Sequence, residues 1–207
     1  MPSLLRWLEW ARQIQAIAQT GLHYSANEYD RQRYERLLEI AAEIASEAGN
    51  LDFALVHRLF REPKGYATPR IDVRAAVFQG DRLLLVRERA DGGWTMPGGW
   101  ADVGDLPSEA VEREVFEEAG LRVKARKVVG IYDANRMGDL ELFHAFKLVF
   151  LCEIIGGEPT PGYETSAVAF FRAEEIPAVL SGERTLPRHI ADAFRAHADP
   201  SAPTVFD

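Results

Sequence analysis

The sequence contains a single cysteine, Cys152, and no apolar run that approaches the ~18 residues a membrane-spanning helix needs. One cysteine excludes an internal disulfide, and its apolar surroundings, "KLVFLCEII", favour a buried structural thiol over a nucleophile. Positive charge is also scarce, because 24 lysines and arginines face 32 acidic residues and leave a net charge of −8. Such a chain is not expected to wrap nucleic acid, and we expect no membrane partner.

The N-terminal stretch "MPSLLRWLEWARQIQ" places charges inside its apolar stripe and has no small-residue cleavage signal. Together with the single cysteine, this predicts a cytoplasmic protein. An anionic substrate remains compatible with the negative net charge, because a bound cation can reverse the local sign.

The first part of the chain has a helical pattern. Apolar residues recur at spacings of three and four from Leu4 to Ala18, which predicts a helix that ends at Gly21. Asn27 is expected to cap a second helix that Gly49 closes, and "LDFALVHRLF" forms a shorter segment. These pieces bury little surface of their own, so we expect them to pack on the larger domain or on a second subunit.

The pattern changes after the candidate linker "EPKGYATPR". "IDVRAAVF" and "RLLLVRER" predict a β-hairpin, and a glycine-rich turn then leads into an acidic helix over residues 107–119. "LRVKARKVVGIYDA", "FHAFKLVFLCEII" and "SAVAFFRA" predict further strands, and "LPRHIADAFRAHA" a closing helix. The sequence therefore predicts an α+β protein with a helical N-terminal domain over residues 1–64 and a second domain over residues 65–207.

The acidic helix carries Glu114, Glu117 and Glu118 on one face. A solvated acidic face is the ordinary explanation for such a run. Here, however, the carboxylates lie near the helix C-terminus, where the helix dipole disfavours negative charge, and they follow a glycine-rich loop. Hard cations such as Mg²⁺ prefer oxygen ligands, bridge carboxylates to phosphates and lower the pKa of a bound water. The cluster therefore indicates metal-dependent hydrolysis of a phosphoanhydride.

The same residues carry a family resemblance. Gly99, five residues, Asp105, seven residues and "REVFEEAGL" resemble the Nudix box, G-x5-E-x7-R-E-U-x-E-E-x-G-U, where U is aliphatic. Every specified position matches except Asp105, which replaces a glutamate. The resemblance implies an α/β/α sandwich around a mixed sheet, and hydrolysis of a nucleoside diphosphate linked to a group X.

The resemblance also implies residue roles. Mg²⁺ or Mn²⁺ would be bound by Glu114, Glu117, Glu118 and the carbonyl of Gly98, and Glu118 could also activate water. Arg113 would hold the glutamates in place. The junction between loop and helix would be formed by Gly98, Gly99 and Asp105.

Asp105 is the departure from the pattern. Aspartate is one methylene shorter than glutamate, which moves its carboxylate by roughly 1.5 Å. It could instead cap the acidic helix, a role that aspartate fills well. Two functions are therefore open: an active hydrolase with a slightly rebuilt junction, and a binding or regulatory module that has lost turnover.

Further site residues are proposed outside the box. A catalytic acid is expected from the later loop, with Glu164 the first choice and Glu158 the second; an ordinary exposed loop acid is the alternative. Candidate substrate contacts, each with a structural alternative, are Arg87 for phosphate, Trp94 and Trp100 for base stacking, and His144 in a predicted strand. Arg74, Arg87 and Glu88 lie on or beside the first strands, near where a diphosphate could sit.

The N-terminal region carries a second resemblance. "WLEWARQIQAIAQTGLHYSANEYDRQRYERLLEIAAEI", followed later by "PGGWADVGD", is similar to a Nudix subfamily with a helical N-terminal domain. That resemblance implies a homodimer whose helical domain forms a wall of the substrate pocket. It also implies substrates such as CDP-choline or UDP-linked compounds, cleaved to a nucleoside monophosphate and phospho-X. ADP-ribose, oxidised nucleotides and RNA ends stay open within the same chemistry.

Overall fold

The computed structural model describes residues 6–102, 104–134, 142–182 and 184–207. These residues form two compact units. The first contains the described chain up to residue 70 together with 142–144, and the second contains 71–134 and 145–207. No helix within the described ranges is long and apolar enough to cross a membrane.

The first unit is helical. Its helices are α1 (Arg6–Tyr24), α2 (Glu28–Gly49) and α3 (Phe53–Arg61). Their shared core is rich in alanine, which lets helices approach closely, and consists of Ala11, Ala18, Leu38, Ala41, Ala42, Ala45, Val56 and Phe60.

The predicted end of the first helix at Gly21 is wrong, because α1 continues to Tyr24. A Cβ atom at Gly21 would lie 2.3 Å from the ring of Tyr34 on α2. The glycine therefore makes room for an aromatic ring inside a helix instead of ending it. Leu4, the first residue of the predicted apolar stripe, lies outside the described residues.

The predicted cap of the second helix is confirmed. The Asn27 side chain accepts a 2.9 Å hydrogen bond from the backbone N–H of Tyr29. Gly49 is the last helical residue, and Asn50 adopts the left-handed conformation that ends the helix, with φ of 52°.

The second unit is built on one sheet. Its strands are β1 (Arg70–Gln79), β2 (Arg82–Glu88), β3 (Trp94–Thr95), β4 (Gly98–Trp100), β5 (Leu121–Asp133), β6 (Ala145–Gly157), β7 (Thr165–Phe171) and β8 (Val205–Phe206). The strand order is β3-β2-β1-β6-β5-β8, with β4 paired to β1 and β7 paired to β2. The β5–β8 pair is parallel and the β1–β2 pair is antiparallel, so the sheet is mixed.

The two faces of this sheet are covered by different helices. Alternate residues of a strand point to opposite faces, and on β2 Leu84 packs in the cluster that contains Val115 of α4 (Pro107–Ala119). Leu83, one residue earlier, packs with Ile190 of α5 (Pro187–Ala198). The α/β/α sandwich expected from the resemblance is therefore confirmed.

Two details of the second unit bear on the site. The acidic helix has the predicted bounds, and Gly120 follows it with φ of 69°, as a left-handed C-cap requires. Strand β6 begins at Ala145. The predicted strand position of His144 is therefore wrong, since this residue precedes the strand and belongs to the helical unit.

Candidate active site

Helix α4 has a buried apolar face and an acidic face. The apolar face contains Ala110, Val111, Val115 and Ala119. The three glutamates differ in exposure: the side chain of Glu117 is 55% exposed and that of Glu114 is 13% exposed, while Glu118 is buried. Within little more than one helical turn, the carboxylates therefore range from solvent-exposed to buried.

Arg113 lies among the carboxylates. Its Nη1 atom donates to Glu114 Oε1 at 2.9 Å and to Glu117 Oε2 at 3.2 Å. Its Nη2 atom lies 3.3 Å from Asp105 Oδ2 and 3.6 Å from Asp102 Oδ2. One guanidinium therefore holds two of the clustered glutamates and the loop that precedes the helix.

Asp105 joins the loop to the helix through its side chain. The alternative in which Asp105 caps α4 is wrong, because the N-cap residue is Leu106, which makes no side-chain cap bond, and the helix begins at Pro107. Proline tolerates this first position because the N–H that it lacks would have no helical partner. The carboxylate of Asp105 contacts Arg113 instead.

The glycine turn approaches the helix closely. Gly98 lies in β4 opposite Arg74 of β1, and its backbone N–H donates a 2.9 Å hydrogen bond to Glu118 Oε2. A Cβ atom at Gly98 would lie 2.0 Å from the carbonyl oxygen of Val73, so only glycine fits. At Gly99 a Cβ atom would meet the carboxylate of Glu114 at 2.9 Å.

Burial changes the acidity of the inner carboxylates. Desolvation raises the pKa of Glu118 to about 7, although the Gly98 hydrogen bond and the charge of Arg74 act in the opposite direction. The charge of Glu88 adds to the increase. Burial also raises the pKa of Glu114, while Arg113 opposes that shift. Glu118 can therefore hold or release a proton near neutral pH.

The acidic face opens into a cavity of about 700 Å³. It is lined by Glu114, Glu117, Glu118, Arg113, Gly98 and Gly99, and also by Trp100 and Glu164. The structure thus brings together eight of the residues that the sequence nominated, including the loop acid. Asp105 does not line the cavity but contacts Arg113, which does.

Two nominated substrate contacts lie elsewhere in the same unit. Arg87 on β2 directs its Nε atom to the carbonyl of Gly92 at 2.8 Å and does not line the cavity. Trp94 packs edge-on against Phe171, with ring centroids 4.9 Å apart, as part of the core around α5. For these two side chains the geometry favours the structural alternative.

His144 and Glu158 are also absent from the residues that line the acidic cavity. His144 lies in the helical unit, where it lines a different cavity together with Arg12 and Phe143. The backbone carbonyl of Glu158 accepts from Thr160 Oγ1 at 3.1 Å in the loop after β6. Glu164 is the loop acid that the structure places at the cavity.

Five further side chains line the cavity, and one of them is Asp102, whose carboxylate lies near Arg113. Arg74 and Glu88, which the sequence places near a possible diphosphate position, are both buried. Tyr163 and Arg184 were not predicted. Tyr163 is the neighbour of Glu164 and could have been nominated with it, whereas Arg184 lies in the segment between β7 and α5 and carries no local signal.

The donor set suits a hard divalent cation, since it consists of carboxylates beside a glycine turn. As the side chains stand, the described residues contain no group of three or more His, Cys, Asp or Glu arranged to hold an ion. In this arrangement Glu114 and Glu117 are both hydrogen-bonded to Arg113. A cation could be bound after these side chains turn away from Arg113.

Comparison with known proteins identifies the family of the chain. The sequence pattern of the family described as "NUDIX domain" matches residues 68–193. The chain belongs to the Nudix hydrolase family. The family described as "UDP-X-like, N-terminal oligomerisation domain" matches residues 5–60, before the Nudix domain.

A relative covers the whole chain. It is the Bacillus subtilis (strain 168) protein named "Putative ADP-ribose pyrophosphatase YjhB", which is 36% identical over 203 residues, 98% of this chain and 97% of that protein. Both the helical region and the Nudix domain are therefore shared with a protein of similar length.

Two solved structures are similar to this Nudix hydrolase. An ADP-ribose pyrophosphatase from Streptococcus suis is 39% identical, covers 68% of this chain and 100% of its own, and has a TM-score of 0.62. A UDP-X diphosphatase is 28% identical over 97% of this chain and 98% of its own, also with a TM-score of 0.62. The second likeness includes the helical region.

Proposed function

We propose that the protein hydrolyses the pyrophosphate bond of a nucleoside diphosphate linked to X, giving a nucleoside monophosphate and phospho-X, with Mg²⁺ or Mn²⁺ as cofactor. The observation that carries this proposal is the convergence of Glu114, Glu117, Glu118 and the Gly98 turn on one cavity. The similarity to proteins named for ADP-ribose and UDP-X cleavage supports this substrate class.

The metal ligands would be Glu114, Glu117, Glu118 and the carbonyl of Gly98. A cation bound there would polarise the diphosphate and acidify water. With a cation bound, Arg113 would still help to hold these glutamates in place, as the resemblance implies. Asp105 would keep the arginine near the helix.

The chain's own groups supply the remaining chemistry. Burial raises the pKa of Glu118 to about 7 in the metal-free protein, and the charge of a bound cation would lower it. We propose that Glu118 also accepts the proton of the attacking water. Glu164 at the cavity edge is a second proton acceptor. Arg74 offers a buried positive charge to a phosphate, and its position is fixed because its Nε atom contacts Asp72 Oδ1 at 3.0 Å. Trp100, which is 45% exposed, can stack on a base.

The test is phosphate release through a coupled phosphatase from CDP-choline, UDP-glucose, ADP-ribose and nucleoside triphosphates, with Mg²⁺, with Mn²⁺ and with EDTA. We expect chelator-sensitive cleavage of at least one diphosphate-linked substrate, and near-complete loss in Glu118→Gln. Glu109→Gln, an exposed acid in the first turn of the same helix, is the matched control and should retain activity.

Two outcomes contradict the proposal. Equal activity of Glu118→Gln and the unchanged protein would remove Glu118 from the site. Ligand binding without turnover of any substrate would replace hydrolysis by the alternative of a binding or regulatory module.

We further propose that the protein is a homodimer joined through the helical unit. Three large apolar side chains of α1, spaced seven residues apart, are exposed: Trp10 (52%), Ile17 (58%) and Tyr24 (68%). A spacing of seven places them on one helix face. The N-terminal match to an oligomerisation domain supports a second copy of the chain as the group that covers this face.

A further inference from the structure

A second cavity adjoins the acidic one. It has a volume of about 540 Å³ and is lined by Glu88, Arg89, Ala90, Tyr163, Glu164 and Arg184. Four of these residues also line the acidic cavity, namely Glu88, Tyr163, Glu164 and Arg184. The two spaces therefore meet along a shared wall, and a ligand held in the first can extend into the second.

Arg184 stands on this shared wall. Its Nη1 atom lies 3.5 Å from Glu88 Oε2 and donates to Ser181 Oγ at 3.0 Å. Both contacts use the same nitrogen. Within the part of the chain that the structure describes, no acceptor is hydrogen-bonded to Nε or Nη2 of Arg184. The charge of Glu88 also acts on Glu118. Glu88 therefore lies between Arg184 and the proposed reaction centre at Glu118. The Nε and Nη2 atoms of Arg184 are available to donate to a ligand.

The backbone of Arg184 is hydrogen-bonded to a buried lysine. Lys147, a buried lysine on β6, donates from Nζ to the Arg184 carbonyl at 2.6 Å and contacts Asp72 Oδ2 at 3.2 Å. Asp72 in turn contacts Arg74, the buried arginine of the acidic cavity. The buried residues Lys147 and Asp72 therefore connect the Arg74 side chain to the backbone of Arg184, which places the two arginines at defined positions of the cavity.

We propose that the second cavity receives the X group and that Arg184 binds the phosphate attached to X. This inference rests on the proposed function, because it assumes a diphosphate in the acidic cavity. Guanidinium groups bind phosphate oxygens through paired N–H donors. The cavity wall contains two arginines and two glutamates, whose charges offset each other. Such a wall suits a neutral X that has hydroxyl groups, such as a sugar, better than a cationic X.

Product inhibition separates the two halves of the substrate. With ADP-ribose as substrate, the inhibitors are ribose 5-phosphate, which represents phospho-X, and AMP, which represents the nucleotide half. In Arg184→Gln we expect inhibition by ribose 5-phosphate to weaken about tenfold and the KM for ADP-ribose to rise similarly, because one charged contact is lost. Inhibition by AMP should stay within about twofold of the unchanged protein.

Arg172→Gln is the matched control. Arg172 is an exposed arginine of the same unit that pairs with Asp81 and lines neither cavity. The inference is overturned if Arg184→Gln behaves like this control, or if it weakens inhibition by AMP as much as inhibition by ribose 5-phosphate. If the unchanged protein cleaves ADP-ribose poorly, UDP-glucose becomes the substrate. Glucose 1-phosphate then represents phospho-X, and UMP represents the nucleotide half. Failure to cleave any diphosphate-linked substrate would instead contradict the proposed function.

Discussion

The backbone N–H of Gly98 donates a 2.9 Å hydrogen bond to the carboxylate of Glu118. This bond joins strand β4 to helix α4 inside the cavity, so the turn and the helix hold their relative positions through a group that can change its charge. A buried carboxylate with one backbone donor is stabilised only in part when it ionises.

The metal-free protein should lose stability as the pH rises because of Glu118. The pKa of Glu118 is about 7 in the folded state, against 4.5 for an ordinary glutamate, so between these values the folded state binds more protons than the unfolded state. The free energy of unfolding therefore falls across pH 4.5–7. Relative to the unchanged protein, Glu118→Gln should gain about 2–3 kcal/mol at pH 8 and nothing at pH 4.5.

Urea unfolding in EDTA at several pH values measures this difference. Burial lowers the pKa of His189 to about 3, and the associated loss of stability below pH 6.5 is common to both proteins, so it cancels in the comparison. A difference that is constant across the whole pH range would contradict the prediction.

Mg²⁺ or Mn²⁺ should stabilise the folded protein even without substrate. A ligand at 100 times its Kd adds about 2.7 kcal/mol to the free energy of unfolding. We expect a rise in Tm on adding the cation, its reversal by EDTA, and a much smaller rise in Glu114→Gln. Glu109→Gln should respond like the unchanged protein, and an equal response of Glu114→Gln would remove Glu114 from the ligand set.

Asp105 should be replaceable by glutamate but not by alanine. Asp105→Glu retains a carboxylate for Arg113 and should keep kcat/KM within about threefold, whereas Asp105→Ala frees the arginine and should lower kcat/KM by about tenfold or more. The control is Asp102→Ala, which removes a longer contact of 3.6 Å to the same arginine. Comparable losses in both alanine variants would contradict a special role of Asp105.

The two neighbouring glycines should respond differently to a methyl group. In Gly98→Ala the new Cβ atom meets the backbone carbonyl of Val73 at 2.0 Å, so the strand must shift, and we expect a loss of at least ~2 kcal/mol. In Gly99→Ala the Cβ atom meets the end of the flexible Glu114 side chain. The free energy of unfolding should therefore fall less than in Gly98→Ala, while kcat/KM should fall because Glu114 is displaced. Thermal unfolding and kcat/KM test both, and equal destabilisation would be the contrary result.

The exposed face of α1 should set the oligomeric state. Trp10→Glu combined with Ile17→Glu places charges within the proposed interface and should convert a dimer to a monomer in sedimentation analysis. Ile155→Glu, at an exposed position of β6 (59%), is the control and should leave the state unchanged. A monomer in the unchanged protein would contradict the proposed dimer.

The sequence predicts the acidic helix well because its signals are local. Pro107 and Gly120 set its ends through backbone conformation, and the apolar spacing sets its buried face. The sequence could not distinguish Trp94 from Trp100, since both flank the same glycines. Their positions in the folded sheet differ: Trp94 packs against the core, and Trp100 lines the cavity.

Long-range packing explains the other differences. Gly21 has the local signal of a helix end, yet the ring of Tyr34 from the next helix determines its role. Arg184 has no sequence signal at all, because its place at the cavity depends on a lysine 37 residues earlier in the chain. Residues of this kind are found only when tertiary contacts are known.

The position of Arg113 has a consequence for how the site would be loaded and emptied. Its guanidinium pairs with Glu114 and Glu117 and offsets one of their two negative charges, so the acidic cluster is partly compensated without any ion. A cation that binds to Glu114 and Glu117 would replace the Arg113 guanidinium as their positively charged partner. Because the cation would compete with Arg113 for the same carboxylates, breaking these contacts would reduce the net free energy of cation binding.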